Sequence, residues 1–401
     1  MYRASRCAVL AAVAGTLSVV VTTAGVAGAA SPAAKRSPTV TIGVIAPTAG
    51  GLTSFGLGIR NSVQLAVTQA NTQRRVPGWT IELRSLDDSS DPAKGRADAK
   101  KLAADRSVVA VVGPYNSGVA LEAAPVLAKR GVALVSPSNT LTSLTVGDDP
   151  AHPKRQSKTY FRMVGPDSQQ AAFLARRARA LGFSSAAVVS ETKAVSKGLA
   201  DEFAAAFTSA GGSVPVHQTV PDGSTEFKTF LDAAAPAAPQ LLFFGGEYKV
   251  AAALRSAATA AGIAAPLMGG DGMNDPSFIS GAGAAANGSY ASGVGVPLRT
   301  IPGASPFLAA YDAQSFADPP TDYGPYAYDA TNAIVTILAK TLKNKRTLPA
   351  DERTKVVEGL QGTDTSGVTG AVSFDRFGDT KAPAFTLYRV DGSPPAWTPV
   401  G

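Results

Sequence analysis

The hydrophobic positions of this chain follow two periods in turn, and the succession predicts strands that alternate with helices. Val40, Ile42 and Val44 alternate with smaller or polar residues as in a strand, and residues 55–71 then follow the helix period. Further predicted strands end at Asp87-Asp88 or run over residues 108–112 and 132–135. Helices between strands favour parallel pairing, so the first part of the chain predicts an α/β sheet covered by helices.

A second unit of the same kind is predicted to begin near Tyr160. Asp167 is the predicted N-cap of its first helix, with Gln170 as the capping-box partner. Its further predicted strands run over 186–190, 240–244 and 266–268. The periodicity weakens after residue 275, where the pattern predicts a helix over 326–342 and strands over 370–376 and 384–390.

The N-terminal segment predicts export. Arg3 and Arg6 precede an apolar stretch, and Ala27-Gly28-Ala29 supplies the small residues of a cleavage site. We therefore predict a signal peptide over 1–29 and a flexible leader over 30–38. No later segment has the roughly 18 apolar residues of a membrane-spanning helix, so no stable membrane insertion is expected after cleavage. The predicted location is periplasmic or extracellular.

Composition narrows the chemistry further. The single cysteine, Cys7, lies in the predicted signal peptide, so the mature chain is expected to have no disulfide and no thiolate metal site. The net charge is +7, but the basic residues are scattered, which argues against nucleic-acid binding. Two histidines and no nucleophile or metal motif indicate neither an enzyme nor a metal centre. Residues 281–286 have dinucleotide-like spacing but follow no predicted strand, so no cofactor is expected.

Three short segments follow predicted buried strands and carry small polar groups. They are Gly113–Gly118, Ser136–Thr140 and Gly269–Gly272. Open α/β sheets bind ligands at the carboxyl ends of their strands, where these segments are expected to lie. Donors of the first two segments could hold a carboxylate, and Asp271 could hold an ammonium group. The pattern predicts a site for a small zwitterion without groups that would react with it.

An ordered series of motifs covers residues 39 to 395. It includes Ile42-Gly43-Val44, Asp87-Asp88, Val112–Gly118, Ser136-Pro137-Ser138, Gly198–Phe203, Phe244-Gly245-Gly246, Met268–Gly272, Ala327–Ala330 and Gly367–Gly370. In this series the chain resembles the type I periplasmic substrate-binding proteins of the branched-chain amino-acid (Leu/Ile/Val-binding) family of ABC importers. The resemblance implies two doubly wound parallel-sheet lobes joined by three crossovers, near 163–165, 293–296 and 378–383.

The resemblance also implies lobe limits and partners. Lobe one would comprise 39–163 and 295–380, and lobe two 164–294 and 381–401. The two lobes would close on a small ligand, an amino acid or related zwitterion, and present it to an ABC permease.

Site residues follow from the same resemblance, position by position. Ser117, Ser138 and Thr140 would hold the α-carboxylate and part of the α-amine, and Asp271 would pair with the amine from the opposite lobe. Alternatives that need no ligand are helix capping for the two serines and turn formation for Asp271. The other expected ligand-binding residues are Tyr115, Tyr323, Phe55 and Glu247, where core or surface packing is the alternative for the two tyrosines.

Two positions depart from the family pattern. Val195 stands where amino-acid-binding relatives usually have a tyrosine at the ligand head, and Glu247 stands where many have an apolar pocket wall. A buried Glu247 could select a polar or cationic ligand side chain. The alternative is that Glu247 points to solvent at a helix start, where a carboxylate is favoured anyway.

The sequence also allows other functions of the same fold. One is an extracellular sensor of an amide, peptide or metabolite that signals to a receptor. A scaffold that has lost binding is another, in view of Val195, and an enzyme of the wall or matrix is disfavoured because no nucleophile–base pair is evident. The expected function is an exported solute-binding protein.

Overall fold

A computed structural model describes residues 37–149, 151–301 and 303–400 of the chain. The predicted signal peptide and residues 30–36 of the predicted leader lie outside the described residues. Across the described ranges, none of the helices combines the length and the hydropathy needed to span a bilayer.

The strands form two large sheets and one hairpin. The first sheet consists of β1 (Thr39–Ala46), β2 (Thr80–Asp87), β3 (Val108–Val112), β4 (Ala133–Ser136) and β5 (Tyr160–Arg162). The next strands along the chain are β6 (Ser185–Glu191), β7 (Ser213–Val220), β8 (Leu241–Phe244), β9 (Leu267–Gly269) and β10 (Tyr290–Val294). The hairpin is formed by β11 (Asp364–Gly367) and β12 (Gly370–Ser373), and the last strands are β13 (Phe385–Asp391) and β14 (Ala396–Pro399).

The first sheet has the order β2-β1-β3-β4-β5 and is parallel throughout. The second has the order β14-β13-β10-β9-β8-β6-β7. Strands β6–β10 run parallel to one another, whereas β13 and β14 form an antiparallel edge. The predicted α/β class with two parallel-sheet lobes is confirmed, and the antiparallel edge makes the second sheet a mixed one.

Helices cover both sheets. They are α1 (Thr53–Thr72), α2 (Pro92–Ala104), α3 (Ser117–Ala128), α4 (Ser143–Val146), α5 (Asp167–Ala180), α6 (Ala194–Ser209), α7 (Lys228–Ala237), α8 (Tyr248–Ala260), α9 (Pro276–Ala282), α10 (Ser305–Asp312), α11 (Gly324–Thr341) and α12 (Glu352–Gln361). α11 packs on α1 and α12 lies against β3, so these late helices cover the first sheet before β13 joins the second. We call each sheet with its covering helices a lobe; the first lobe contains β1–β5 and the second β6–β10.

The prediction that a second unit begins near Tyr160 is wrong. Tyr160 pairs with Leu134 of β4, which makes β5 the fifth strand of the first sheet. The second sheet begins at β6. A strand of three residues is too short for its hydrophobic pattern to show which sheet it joins. Its pairing with β4 places it in the first sheet.

The predicted capping box of Asp167 and Gln170 is also wrong. Pro166 occupies the N-cap of α5, Asp167 is its first helical residue, and the cap has no side-chain hydrogen bond. The Gln170 side chain is instead buried and hydrogen-bonded to Asp271, which follows β9, and to Ser292 of β10.

A buried ion pair joins two segments that lead from the first sheet to the second. Arg162, the last residue of β5, is fully buried, and its Nε donates to Asp379 Oδ1 at 2.5 Å. Its other nitrogens donate to Leu141 O at 2.9 Å and to Thr145 Oγ1 at 2.5 Å. Thr145 Oγ1 also lies 3.0 Å from Asp379 Oδ2, so the second carboxylate oxygen is bonded too. A buried ion pair stabilises a fold only when its remaining polar atoms are bonded in this way.

Replacing Arg162 tests this ion pair. Arg162→Met would leave Asp379 buried without its charged partner, and we expect the free energy of unfolding to fall by about 3–5 kcal/mol. Urea unfolding at neutral pH would measure it. Lys228→Met is the matched control, because the exposed pair of Lys228 and Asp232 contributes no more than about 0.5 kcal/mol. A loss below about 1 kcal/mol for Arg162→Met would contradict the role given to the pair.

Asp88 makes the stability of the fold depend on pH. It is fully buried after β2; its Oδ1 accepts from Ser90 N at 2.7 Å, and its Oδ2 is without a hydrogen-bond partner. Burial raises the pKa of Asp88 from 3.8 to about 6, and the nearby Asp87 and Asp98 add to the rise. Between these two values the folded protein keeps a proton that the unfolded chain has lost, so stability falls as the pH rises.

Asp88→Asn keeps the acceptor for Ser90 and removes the charge. We expect the variant to match the wild type at pH 4 and to exceed it by about 3 kcal/mol at pH 8, from a shift of roughly two pKa units. Urea unfolding at both pH values would measure the difference. The same difference at pH 4 and pH 8 would show that Asp88 is not the titrating group.

Candidate functional site

A cleft runs between the two lobes at the carboxyl ends of their parallel strands. The loops after β3 and β4 form one wall, and the loops after β6, β8 and β9 form the other. The lining residues are Tyr115, Asn116, Ser117, Ser138, Thr140, Asp167, Glu191, Lys193, Val195, Ser196, Leu199, Gly245, Gly246, Glu247, Asp271 and Gly272. The space between the walls is about 40 Å³, room for only a few water molecules, so a larger ligand requires the walls to separate.

On the first wall, the start of α3 offers hydrogen-bond donors. Asn116 is the N-cap and makes no side-chain cap bond, and Ala120 N donates the first helical bond to Asn116 O at 3.1 Å. The N–H groups before Ala120 have no helical partner, which favours an anion at this end. Ser117 Oγ accepts from Leu141 N at 3.3 Å, so its own proton is free to bond a carboxylate.

Ser138 differs from Ser117 in what its hydroxyl can do. Ser138 Oγ donates to Tyr115 O at 3.0 Å, which leaves the oxygen as an acceptor. It therefore suits the amine of a ligand better than the carboxylate. Thr140, which also lines the cleft, is tied to the other lobe because its carbonyl accepts from Asp167 N at 2.6 Å.

On the second wall, Asp271 is held by bonds from both lobes. It starts a short 3₁₀ turn after β9 and is buried. Gln170 Nε2 donates to its Oδ1 at 2.9 Å, and Tyr323 Oη, from the first lobe, donates to its Oδ2 at 2.8 Å. Burial raises the pKa of Asp271, although these two donors oppose the rise. The carboxylate is thus fixed in position and still has lone pairs for a further donor.

Gln170 is a site residue that the sequence pattern assigns to a different role. Its Oε1 accepts from Asp271 N at 3.1 Å and from Ser292 Oγ at 3.1 Å, in addition to the bond from its Nε2. Gln170 therefore fixes the position of Asp271 through hydrogen bonds to its backbone N–H and to its carboxylate. The spacing that suggests a capping box gives no sign of this role, because its partners lie more than 100 residues away.

Glu247 turns into the cleft rather than to solvent. It is the N-cap of α8 without a side-chain cap bond, and its side chain is 16% exposed. Its Oε1 accepts from Asn116 Nδ2 of the opposite lobe at 2.8 Å, and its Oε2 lies 3.4 Å from Lys193 Nζ. Burial raises the pKa of Glu247, and the charge of Lys193 opposes that rise.

Glu191 and Lys193 also belong to the site, although the sequence pattern does not single them out. Glu191 ends β6 and is fully buried; its Oε1 accepts from Gly223 N at 2.7 Å and lies 3.4 Å from Lys193 Nζ. Burial opposes the charge of Lys193, but Glu247 and Glu191 outweigh this effect and raise its pKa. The lysine is therefore held in its charged form between two carboxylates.

The aromatic candidates divide into two groups. Tyr115 lines the cleft, while Phe55 and Tyr323 lie behind that wall and are almost fully buried. The Phe55 ring stacks on Tyr115 at 4.8 Å between centroids, and the Tyr323 ring meets both edge-on at 5.2 Å. Phe55 thus supports the wall, and Tyr323 reaches the site through its hydroxyl on Asp271.

The cleft therefore brings together six of the eight expected residues: Tyr115, Ser117, Ser138, Thr140, Glu247 and Asp271. Val195, the departure from the family pattern, also lines it. Within the described part of the chain, no group of three or more His, Cys, Asp or Glu side chains could hold a metal ion.

Comparison with known proteins identifies the same family throughout. Residues 39–394 match the sequence profile of the family described as periplasmic binding protein. Leu/Ile/Val-binding protein homolog 3 of Brucella melitensis is 27% identical over 355 residues, which cover 88% of this chain and 91% of that protein. The leucine-, isoleucine-, valine-, threonine-, and alanine-binding protein of Pseudomonas aeruginosa is 28% identical over 354 residues, covering 87% and 89%.

The fold agrees with these relatives. The crystal structure of a leucine-binding protein from Thermotoga maritima superposes with a TM-score of 0.77 at 24% identity, covering 90% of this chain and 97% of the other. The resemblance drawn from the sequence motifs is confirmed. Because the profile match extends over nearly the whole described chain, this chain belongs to the periplasmic binding protein family.

Proposed function

We propose that this protein binds an amino acid or a similar small zwitterion between its lobes and delivers it to the permease of an ABC importer. The observation that carries the proposal is the buried carboxylate of Asp271 on one wall, opposite the free donors at the start of α3 on the other. Opposite charges at the two ends of a zwitterion match these two walls.

The ligand's α-carboxylate would bond the first-turn N–H groups of α3 and the Ser117 hydroxyl. Its α-ammonium would bond Asp271, with Ser138 Oγ as a second acceptor. Thr140 and Tyr115 would complete the wall around this head group. Water excluded from the closed cleft would no longer compete for these bonds, which strengthens them.

Contacts between the lobes support closure as part of the function. Asn116 bonds Glu247 across the cleft, Tyr248 Oη donates to Gly51 O, and Asn274 Nδ2 donates to Asp322 Oδ2 at 2.9 Å. We assign residues 39–163 and 295–380 to one moving lobe and 164–294 and 381–401 to the other. A ligand that contacts both walls would favour the closed form, which a permease can distinguish from the open one.

Capture without reaction fits the chemistry of the cleft. His152 bonds the exposed Asp149, His217 pairs with Asp201, and neither histidine lines the cleft. The family consists of binding proteins, and the relatives in Brucella melitensis and Pseudomonas aeruginosa are named as amino-acid-binding proteins. Export through the predicted signal peptide would place the protein outside the cytoplasmic membrane, where such capture is useful.

A thermal-shift screen tests the proposal directly. The chain from residue 37 onward would be unfolded and refolded to remove carried-over ligand, then heated with single amino acids, amides, polyamines and short peptides. A ligand present at about 100 times its Kd stabilises the folded state by about 2.7 kcal/mol, so the melting temperature rises by several degrees. We expect this shift with at least one α-amino acid. No shift with any of them would contradict the proposal.

Asp271→Asn tests the amine site. The amide can still bond Gln170 and Tyr323, so we expect the fold to persist, but one charge-assisted bond to the ligand is lost. We expect calorimetry to show an amino-acid affinity about 10- to 100-fold weaker. Asp232→Asn, an exposed carboxylate on α7, is the control and should bind as the wild type does. Unchanged affinity for Asp271→Asn would remove Asp271 from the ligand's contacts.

A further inference from the structure

The cleft has more acceptors than its own donors can satisfy. Among the described residues that line it, every buried side-chain atom without a hydrogen-bond partner is an acceptor. These atoms are Oε2 of Glu191, Oδ1 of Asn116 and both carboxylate oxygens of Asp167, to which the nearby Thr140 hydroxyl is the one side-chain donor of the lining that contributes. Asp167 is 1% exposed and Glu191 0% exposed, so both carboxylates are withdrawn from bulk water. A buried acceptor without a donor is costly, so a ligand rich in donors would be stabilised here.

The charges of the lining residues also favour a ligand that carries cationic groups. Four lining residues carry carboxyl groups, namely Asp167, Glu191, Glu247 and Asp271, and Lys193 alone among the described lining residues carries an ammonium group. Fully ionised, the lining has an excess of three negative charges. Burial raises the pKa of Asp167, Glu247 and Asp271 and so opposes this ionisation, whereas a cationic group beside them favours it. A zwitterion has no net charge and leaves this excess unchanged, whereas each cationic group of a ligand reduces it.

The carboxylates form two clusters. Asp167 and Asp271 form the first; burial raises the pKa of Asp167 well above its usual range, and the charge of Asp271 adds to the rise. Glu191 and Glu247 form the second, on either side of Lys193. Both distances to Lys193 Nζ are 3.4 Å, longer than the 2.7–2.9 Å of a strong charged pair. Lys193 therefore satisfies the second cluster only in part, and Glu191 Oε2 stays without a partner.

We propose that the ligand carries a second cationic group, as a basic amino acid does. Its α-ammonium bonds Asp271 and Asp167, and its side-chain ammonium or guanidinium bonds Glu191 Oε2 and Glu247. Asn116 Oδ1, free while its Nδ2 bonds Glu247, accepts a further N–H of the same group. This inference rests on the proposed function and adds the class of amino acid that the cleft selects.

Arginine and citrulline separate charge from shape. Citrulline has nearly the shape of arginine and keeps N–H donors on its side chain, but that side chain is neutral. We expect titration calorimetry on the refolded chain to show arginine binding at least about tenfold more tightly, since a charged donor strengthens a hydrogen bond markedly. Lysine should likewise bind more tightly than norleucine. Citrulline or norleucine binding as tightly as its charged counterpart would overturn the inference.

Glu191→Gln tests the second cluster. Glutamine keeps an acceptor for Gly223 N and removes the charge, so the fold is expected to persist, which a melting curve would check. The preference for arginine over citrulline should fall by about fivefold or more, while citrulline affinity changes little. Glu226→Gln removes an exposed carboxylate near Gly223 and should leave the preference unaltered. A preference unaffected by Glu191→Gln would show that Glu191 does not contact the cationic group.

Agmatine, which is arginine without its carboxylate, separates this inference from the proposed function. Arginine binding more tightly than agmatine supports both. Agmatine binding as tightly as arginine would overturn the carboxylate site of the proposed function and leave the cation site standing. Binding of neutral amino acids such as leucine in preference to arginine would overturn the cation site and leave the proposed function standing. No binding by any of these compounds would overturn both.

Discussion

The buried ion pair of Arg162 and Asp379 holds together two chain segments that lead from the first sheet to the second. Arg162 ends the last strand of the first sheet, and Asp379 lies just before the chain enters β13 of the second. Two buried charges stabilise a structure only if their remaining donors and acceptors are bonded, and here Thr145 and the Leu141 carbonyl do this. Because the same guanidinium holds Leu141, the loop that presents Thr140 to the cleft is fixed to this ion pair.

The lining of the cleft is rich in carboxyl groups. Glu247 bonds Asn116 across the cleft, and Asp271 accepts from Tyr323 of the opposite lobe, so the two acids link the walls directly. A ligand that entered would exchange some of these bonds for its own. The free energy of closure is then the difference between two sets of polar contacts, which makes closure sensitive to the charge of the ligand.

Much of the fold could be predicted from the sequence, because a strong period of hydrophobic positions indicates which residues are buried. The run Val108–Val112 is buried on both faces and gives a clear strand, and the helix period over residues 55–71 matches most of α1. The pattern does not predict β7, an edge strand whose residues alternate between exposed and half-buried, because its contrast is weak. Periodicity alone places the start of the second unit near Tyr160, which is wrong because a strand of three residues does not show which strand it pairs with.

For the site, the sequence by itself determined the order of the elements, the family, and the loops that follow the strands, because these depend on local spacing and turn chemistry. Only the tertiary structure decided what the polar side chains do. Glu247 faces Asn116, 131 positions away, and Gln170 serves Asp271, 101 positions away. The acidic character of the cleft arises from four carboxyl groups on four separate segments. Local patterns describe neighbours within a few residues, whereas this charge exists only once distant segments are packed together away from water.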